Sequence, residues 1–333
     1  MARRCAAQGR CAGRRRNAVS AAQVVLVTGA DLAPQAVEML RDYTIVYAGK
    51  TPDEQQLIAL CHEHQPVAII VRYGRITPAV IAASAQLRVI SKHGTGIDTI
   101  DAAAAAARGI AVKAALGANA AAVAEHTWAL ILACAKDVAR LDARMHDGHW
   151  DKATHKSLEL KGRTLGLVGL GAIGVRVAAV GQALGMRVLA HDPYAKALPA
   201  GVENVALADL FAAAHVVSLH CPLTPDNSNM IDAAALALMP DGAILVNTAR
   251  GGLIDEAALL QALQNGKLRA AGLDSFCIEP FSGDHPFAHQ PNVILSPHIG
   301  GVTSDAYVGM GTAAAANVLA VLAMLDGEAR AAA

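Results

Sequence analysis

The feature that most constrains this fold is a glycine-rich segment near the middle of the chain, GLVGLGAIG at residues 166–174. Gly169, Gly171 and Gly174 follow the spacing G-x-G-x-x-G. An apolar, β-prone run precedes them and a small-residue helical pattern follows. In such a turn the first glycine allows a tight bend, the second lets a pyrophosphate approach the backbone, and the third lets the helix pack on its strand. The segment therefore predicts a dinucleotide site at a helix N-terminus.

An acidic residue ends the next apolar run, RVLAHD at 187–192. At this distance from the glycines, the Asp192 carboxylate is placed to accept hydrogen bonds from ribose hydroxyls and to repel a 2′-phosphate. Its neighbours, HDPY, include no arginine to hold that phosphate. The sequence therefore predicts NAD rather than NADP as the cofactor. The competing interpretation is a glycine-rich turn in an α/β domain that binds no nucleotide.

Apolar β-prone runs alternate with helical patterns along the chain, which indicates parallel sheets joined by helical crossovers. The first series of runs lies at 24–28, 44–48, 68–71, 87–91 and 110–113. The second series has six runs, at 164–170, 187–192, 216–221, 243–249, 270–276 and 293–298. Two long helical patterns accompany them: 119–146, with Asn119 as the candidate N-cap, and 299–325, with Ser304 in that role.

The predicted fold class is α/β, with two doubly wound parallel-sheet domains. The last helical pattern has no strand of its own to cover, so we expect it to pack on the first domain. A Rossmann NAD domain, residues 117–299, is then inserted into a flavodoxin-like substrate domain made of 22–116 and 300–333. Residues 1–21 carry six arginines and no acid, and we expect them to form a disordered basic leader.

Composition argues against several kinds of partner. Lys and Arg total 28 and so do Asp and Glu, so nothing indicates a nucleic-acid partner. We find no run of 18 or more strongly apolar residues, and the segment 126–135 is too short for a bilayer, so no membrane partner is expected. The six cysteines include no CxxC pair and no Cys/His zinc spacing, so we expect no metal and a reducing, cytoplasmic location.

Seven motifs occur in one order along the chain: HGTGIDTID (93–101), NAAAVAEHT (119–127), LGLVGLGAIG (165–174), HCPLTPDN (220–227), VNTARGGLIDE (246–256), GLDSFCIEP (272–280) and LSPHIGG (295–301). In this order and spacing they resemble the D-isomer-specific 2-hydroxyacid dehydrogenases, in the D-3-phosphoglycerate dehydrogenase and hydroxypyruvate reductase branch. The resemblance covers about residues 65–320. In that family the cofactor domain is inserted in the substrate domain, which agrees with the organisation predicted above.

The resemblance implies a role for each matching residue. Arg250 corresponds to the arginine that grips the substrate's carboxylate and carbonyl oxygen, His298 to the acid/base, and Glu279 to its partner. Thr95 and Gly96 match the loop whose backbone N–H groups bind the substrate carboxylate. The implied cofactor-binding residues are Gly169, Gly171, Ala172, Ile173, Gly174, Asp192, Cys221, Pro222, Thr248, Ala249, Asp274, His298 and Gly300.

The chemistry of these side chains suits reduction of a 2-keto acid. A guanidinium is a planar fork of donors that fits a carboxylate and polarises the neighbouring carbonyl. A histidine is charged or neutral near pH 7, and a nearby carboxylate favours its charged form and fixes its ring. The sequence therefore predicts NAD-dependent interconversion of a small D-2-hydroxy acid and its 2-keto acid, of the 3-phosphoglycerate, glycerate/hydroxypyruvate or glyoxylate class.

Arg72, in VRYGRIT, follows a first-domain strand and is expected at the same cleft, where it could bind a phosphate or a second carboxylate. Tyr73 and Gly74 replace the small polar pair expected at a phosphoglycerate site, which argues against a phosphorylated substrate. Lys92 and His93 precede the carboxylate loop and could also contact substrate.

Two other functions remain open on this scaffold: a formate- or phosphite-type dehydrogenase, and a non-enzymatic NAD(H)-sensing protein like the corepressors. The formate enzymes carry a glutamine beside the histidine, and Glu279 argues against them. A homodimer is expected from the family resemblance and from the apolar helix at 120–140.

Overall fold

The computed structural model describes residues 22–331, with side chains described through residue 328. The predicted basic leader, residues 1–21, lies outside the described residues, as do positions 332 and 333.

Five parallel strands form the first sheet. They are β1 (Val24–Val27), β2 (Thr44–Tyr47), β3 (Ala68–Val71), β4 (Val89–Lys92) and β5 (Ala111–Ala114). Their spatial order is β2-β1-β3-β4-β5, the flavodoxin-like order predicted from the sequence. All four residues of β3 are buried because helices cover both faces of the sheet, which explains why this strand reads as one continuous apolar run. The helices between these strands are α1 (Pro34–Met39), α2 (Glu54–His64), α3 (Pro78–Ala82) and α4 (Ala102–Ala107).

Seven parallel strands form the second sheet. They are β6 (Thr164–Val168), β7 (Arg187–His191), β8 (Val202–Asn204), β9 (Val216–Leu219), β10 (Ala243–Asn247), β11 (Leu268–Leu273) and β12 (Val293–Leu295). Their order is β12-β11-β10-β9-β6-β7-β8, so the winding direction reverses between β6 and β9, as in a Rossmann domain. The crossover helices are α7 (Ala172–Ala183), α8 (Leu207–Ala213), α9 (Ala233–Leu238) and α10 (Glu256–Gln264).

The second sheet has seven strands, so the expectation of six is wrong. β8 is three residues long, and both Glu203 and Asn204 are exposed at the sheet edge. An edge strand that buries a single side chain leaves no apolar run for a sequence pattern to detect.

The helical pattern predicted over 119–146 is two helices, α5 (Ala120–Lys136) and α6 (Val138–His146). The backbone between them takes a left-handed conformation at Asp137, with φ of 59°. The Asp137 carboxylate accepts a hydrogen bond from Arg140 Nε at 2.6 Å, which holds this bend. Hydrophobic periodicity continues across the bend, so the pattern alone does not reveal the break.

Both predicted N-caps are wrong in detail. The side chain of Asn119 does not cap α5; its amide oxygen instead accepts a hydrogen bond from Thr95 Oγ1 at 3.2 Å. At α11 (Ser304–Ala331), Thr303 rather than Ser304 holds the first turn, because Thr303 Oγ1 accepts a hydrogen bond from Ala306 N–H at 3.1 Å.

The last helix, α11, packs on the first sheet rather than on the second. Its apolar stripe includes Ala314, Ala315, Val318 and Leu322, all fully or almost fully buried. This stripe shares a core cluster with Val25, Ile70 and other residues of β1, β3 and α1. The chain therefore leaves the first sheet after β5 and returns to it with α11, and the second sheet lies between these two crossings.

The expectation that the chain has no long apolar run is wrong. Within the described residues, Ser304–Glu328 of α11 is long and apolar enough to cross a membrane by length and composition, with a mean hydropathy of 1.9 over its best window. The core packing of α11 gives a sufficient reason for this composition, because a helix that covers a sheet must be apolar on that side.

We expect Leu322→Ala to lower the free energy of unfolding by about 2–5 kcal/mol, because it removes a buried side chain that joins α11 to the first sheet. Met324 lies on the same helix and is 55% exposed, so Met324→Ala is the matched control, expected within about 0.5 kcal/mol of the parent. Urea unfolding followed by circular dichroism measures both. Equal stability of the two variants would contradict the packing of α11 described here.

Candidate active site

The glycine turn between β6 and α7 forms a cradle at the switch point of the second sheet. Gly169 has φ of +98°, and a Cβ there would lie 2.8 Å from the backbone nitrogen of Cys221. A Cβ on Gly174 would lie 2.3 Å from the carbonyl oxygen of Gly169. No atom lies within 4 Å of the Cβ position of Gly171, at the start of α7. The turn thus packs tightly inward and stays open in front of the helix N-terminus, which fits a pyrophosphate.

Asp192 lies directly beside this cradle. One carboxylate oxygen, Oδ2, accepts a hydrogen bond from Leu170 N–H at 2.8 Å, and the other, Oδ1, accepts one from Tyr194 N–H at 2.8 Å. These bonds orient the carboxylate next to the glycine turn, where the ribose of a bound dinucleotide lies. The described residues therefore fit NAD on the contacts that the structure shows.

The other predicted cofactor contacts lie on the loops around this cradle. Ala172 and Ile173 begin α7, and Cys221 and Pro222 follow β9. Burial raises the pKa of the Cys221 thiol to about 11, so this side chain is a neutral packing group rather than a nucleophile.

Thr248 and Ala249 lie on the loop that follows β10. Thr248 shares a hydrogen bond of 2.9 Å with Thr127 on α5, and the Ala249 N–H donates to Asn247 Oδ1 at 2.9 Å. These two bonds hold the loop that leads directly to Arg250.

The structure brings together His298 and Glu279, the residues for which the resemblance implies the roles of acid/base and partner. His298 Nδ1 lies 2.9 Å from Glu279 Oε2 and 3.1 Å from Oε1, so Nε2 is the ring nitrogen left for a substrate. The Phe276 N–H donates to Glu279 Oε1 at 3.0 Å and fixes this carboxylate in turn. His298 has φ of +55°, a left-handed conformation that is uncommon for a residue with a side chain and that occurs most often at functional positions.

Arg250 extends from the second domain to the carboxylate loop of the first. Its Nη2 lies so close to the backbone of Gly96 that a Cβ there would be 1.6 Å from it. Arg250 Nε and Nη2 lie 2.9 and 2.8 Å from Asp98 Oδ2, and Nη1 donates to the Ala249 carbonyl at 2.7 Å. A side chain at position 96 would have to displace the guanidinium from this position.

The loops of the three predicted catalytic residues pack against one another. Arg250, Glu279 and His298 follow β10, β11 and β12, which are neighbours in the sheet, so all three lie at its carboxyl edge. A Cβ on Gly251, next to Arg250, would lie 2.0 Å from the carbonyl carbon of Phe276. This close approach joins the arginine loop to the loop that fixes Glu279.

The hinge that carries His298 is held by Asp274, which is 1% exposed. Asp274 Oδ1 accepts hydrogen bonds from Ser296 Oγ at 2.6 Å and Ile299 N–H at 2.9 Å, and Oδ2 accepts one from Gly300 N–H at 2.8 Å. Both oxygens are thus engaged on either side of His298. The observed effect of Asp274 is to fix the hinge, and its contact with the cofactor stays a prediction, as does that of Gly300.

Two members of this network were missed in the sequence analysis. His126 Nε2, on α5, lies 2.9 Å from Ser296 Oγ and 3.4 Å from Asp274 Oδ1. His126 lies with Glu125 and Thr127 in a short polar stretch of the largely apolar α5, which was the available signal for a polar contact here.

The residues predicted on the first domain lie along the edge of its sheet. Arg72, after β3, is paired with Asp31, and Lys92 Nζ, at the end of β4, donates to the Arg72 carbonyl at 3.1 Å. Burial, followed by the charge of Arg250, lowers the pKa of Lys92 to about 8. Burial also lowers the pKa of His93 to about 4, so this imidazole is neutral at physiological pH. Among the described residues no group of three or more His, Cys, Asp or Glu side chains has a metal-binding arrangement.

Comparison with known proteins identifies residues 128–300 as a match to the D-isomer specific 2-hydroxyacid dehydrogenase NAD binding domain. The chain is 40% identical over 304 residues to D-3-phosphoglycerate dehydrogenase of Mycobacterium bovis, an alignment that covers 90% of this chain and 57% of that relative. It is 41% identical over 242 residues to hydroxypyruvate reductase of Thermotoga maritima, covering 72% of this chain and 79% of the relative.

A solved structure of similar fold is the TT0316 protein from Thermus thermophilus, with a TM-score of 0.83 and 37% identity, covering 90% of this chain and 97% of that one. The chain spans a little over half the length of the curated phosphoglycerate dehydrogenase named above. It spans most of the hydroxypyruvate reductase and nearly all of the Thermus protein. On the matched domain, the shared fold and these identities, the chain belongs to the D-isomer specific 2-hydroxyacid dehydrogenase family and carries that family's NAD-binding domain.

Proposed function

We propose that this protein interconverts a small D-2-hydroxy acid and its 2-keto acid with NAD as the hydride carrier. The observation that carries the proposal is the close approach of Arg250 Nη2 to the backbone of Gly96. This approach joins the cation of one domain to the predicted anion loop of the other, beside the loops that hold the His298–Glu279 pair. The family match of residues 128–300 and the hydroxypyruvate reductase relative support the same activity.

Substrate binding follows from the charges at this junction. Arg250 bonds to Asp98 through Nε and Nη2 and to the Ala249 carbonyl through Nη1, so its guanidinium plane is fixed before a ligand arrives. A fixed planar donor holds a carboxylate and polarises the adjacent carbonyl without losing side-chain freedom at the moment of binding. The loop from Gly94 to Gly96 offers backbone N–H groups to the same carboxylate.

His298 is the residue to which we assign proton transfer. When bound, NAD supplies or accepts the hydride at the substrate carbon that bears the oxygen. In the direction of reduction, His298 Nε2 donates a proton to the carbonyl oxygen; in oxidation it takes the proton from the hydroxyl. Glu279 stabilises the imidazolium across the bond of 2.9 Å and holds the ring in one orientation.

We expect His298→Ala to lower kcat by about 10²–10⁴-fold, because the reacting oxygen loses its proton donor. NADH oxidation followed by absorbance, with hydroxypyruvate, glyoxylate and pyruvate as substrates, measures this effect. The control is His62→Ala, which changes an exposed histidine on α2 and is expected to leave kcat unchanged. Turnover of the His298 variant within about threefold of the parent would refute the assignment.

Arg250→Lys is expected to lower kcat/KM by at least about tenfold, although the positive charge is kept. A single ammonium cannot bond to Asp98, to the Ala249 carbonyl and to a substrate carboxylate in the geometry that the guanidinium provides. Arg187→Lys, at an exposed pair with Glu203, is the matched control and is expected to have no effect. Unchanged KM and kcat for Arg250→Lys would remove this arginine from the substrate site.

The corepressor-like alternative makes the opposite prediction in the same assay. An NAD(H) sensor binds NADH tightly and turns over none of the 2-keto acids. The formate-type alternative is opposed by the carboxylate at Glu279, which pairs directly with His298.

We also propose that the protein is a homodimer. None of the residues of α6 is buried, and this region exposes Val138, Met145 and Trp150 to 55%, 52% and 75%. A second copy of the chain is the partner expected to cover such a surface.

Four cysteines of the described part, Cys61, Cys134, Cys221 and Cys277, are free thiols, which supports the expectation of a cytoplasmic location. The absence of nucleic-acid and membrane partners stays a prediction.

Sedimentation equilibrium is expected to give a mass of about 68 kDa, twice the 34.2 kDa of one chain. Met145→Asp is expected to shift the protein towards the monomer, because it places a charge at the proposed interface. Met324→Asp introduces the same charge at an equally exposed methionine on α11 and is expected to leave the mass unchanged. A monomeric parent protein, or identical behaviour of the two variants, contradicts this interface.

A further inference from the structure

The charge of Arg72, in the first domain, is balanced by a carboxylate of the same domain. Arg72 follows β3, and its side chain is 13% exposed. Its Nη1 forms an ion pair with the Asp31 carboxylate and also donates to the Asp31 carbonyl at 2.7 Å. The Tyr307 hydroxyl, on the first turns of α11, donates to the same carboxylate at 2.8 Å.

Aromatic rings and a close backbone enclose this guanidinium. Arg72 Cζ lies 5.0 Å from the ring centroid of Tyr307 and 5.3 Å from that of Tyr73, both within the range of a cation–π contact. A Cβ on Gly29 would lie 2.9 Å from Arg72 Cδ. The side chain is therefore held in place by packing as well as by charge.

Asp31 stays ionised in this arrangement. The hydrogen bond from Tyr307, and then the bond to Arg72, hold the pKa of this carboxyl below its usual range. Burial, and then Asp31, raise the pKa of Tyr307 to about 12, so the phenol remains a donor. At neutral pH the positive charge of Arg72 thus has a permanent negative partner.

The Arg72–Asp31 pair lies next to the predicted carboxylate loop. Lys92 and His93, which directly precede Gly94 of this loop, connect the two. Lys92 Nζ donates to the Arg72 carbonyl at 3.1 Å, and a Cβ on Gly94 would lie 3.8 Å from Lys92 Cε. The His93 ring lies 5.7 Å from the Tyr307 ring. The carboxylate loop and the Arg72–Asp31 pair are therefore neighbours at one edge of the first sheet.

Charge balance at this edge favours a ligand with one negative charge. The cations are Arg72, Lys92 and Arg250, and the carboxylates paired with them are Asp31 and Asp98. Three positive and two negative groups leave a net charge of one positive, because the buried His93 is neutral. A 2-keto carboxylate supplies one negative charge, whereas a phosphate group adds roughly 1.5 to 2 more.

We propose that the Asp31–Arg72 pair makes this site selective for 2-keto acids whose far end is uncharged, and that it discriminates against phosphorylated ones. This inference rests on the proposed dehydrogenase function and narrows its substrate class. The selectivity comes from repulsion: a phosphate at this edge meets the ionised carboxylate of Asp31 and an arginine whose Nη1 already bonds to Asp31. The relative from Mycobacterium bovis is named D-3-phosphoglycerate dehydrogenase, so the inference predicts that our chain differs from it in substrate.

The test compares hydroxypyruvate with phosphohydroxypyruvate, which differ by the phosphate alone. We expect the parent protein to favour hydroxypyruvate in kcat/KM by at least about tenfold. Asp31→Asn removes the negative charge and frees Arg72, so it is expected to shift the ratio towards phosphohydroxypyruvate by at least about tenfold. Tyr307→Phe keeps the ion pair and is expected to shift the ratio less.

The matched control is Asp326→Asn, which breaks an ion pair between Arg88 and an exposed carboxylate at the far end of α11. It is expected to leave the ratio unchanged. A parent protein that prefers phosphohydroxypyruvate, or an Asp31→Asn variant with the parent's ratio, overturns the inference.

A second measurement separates this inference from the proposed activity. D-glycerate and D-3-phosphoglycerate form complexes with the NADH-bound protein that cannot react, and calorimetry gives their Kd without any turnover. D-glycerate is expected to bind at least about tenfold more tightly than D-3-phosphoglycerate, and Asp31→Asn is expected to reduce that difference. If the protein turns over no 2-keto acid but binds D-glycerate more tightly than D-3-phosphoglycerate, the proposed activity is refuted and the selectivity is supported. If it turns over 2-keto acids but binds D-3-phosphoglycerate more tightly, the activity is supported and the selectivity is refuted.

Discussion

The contact between the Arg250 guanidinium and the Gly96 backbone is the constraint on which the site depends. The arginine comes from the loop after β10 of one sheet, and the glycine from the loop after β4 of the other. A side chain at position 96 would displace the guanidinium, because a Cβ on Gly96 would be 1.6 Å from Nη2. The two domains therefore meet at this cation, which is where we propose that the substrate carboxylate binds. A binding site built at such a meeting point is complete only when both domains contribute.

Much of this architecture follows from local sequence signals. The strands with buried faces, such as β3 and β10, read as apolar runs, and their alternation with helical patterns indicates parallel sheets. The glycine spacing at 169–174 predicted the cradle, because Gly169 and Gly174 meet backbone approaches that only a missing Cβ allows. The pairing of His298 with Glu279 came from the resemblance of the motifs, and the structure brings these side chains to 2.9 Å.

The remaining features depend on contacts between distant parts of the chain. Position 119 was expected to cap a helix, but Thr95 lies close to it in space and takes its amide oxygen. The bend at Asp137 depends on a left-handed backbone that hydrophobic periodicity does not encode. Arg72 was predicted at the cleft on its position after a strand. The sequence did not show that this charge is balanced, because the balancing groups come from distant parts of the chain. Asp31 lies on the loop after β1 and Tyr307 on the last helix.

The hinge around His298 has a consequence for the timing of proton transfer. The imidazole lies on the segment between β12 and α11, so the chain that connects the two domains also carries the proposed proton donor. Asp274 holds both sides of that segment from the second domain, while α11 belongs to the core of the first. If the domains rotate to admit a substrate, the start of α11 turns against this anchored segment. Domain rotation and the alignment of the proposed proton donor are then linked through one stretch of chain.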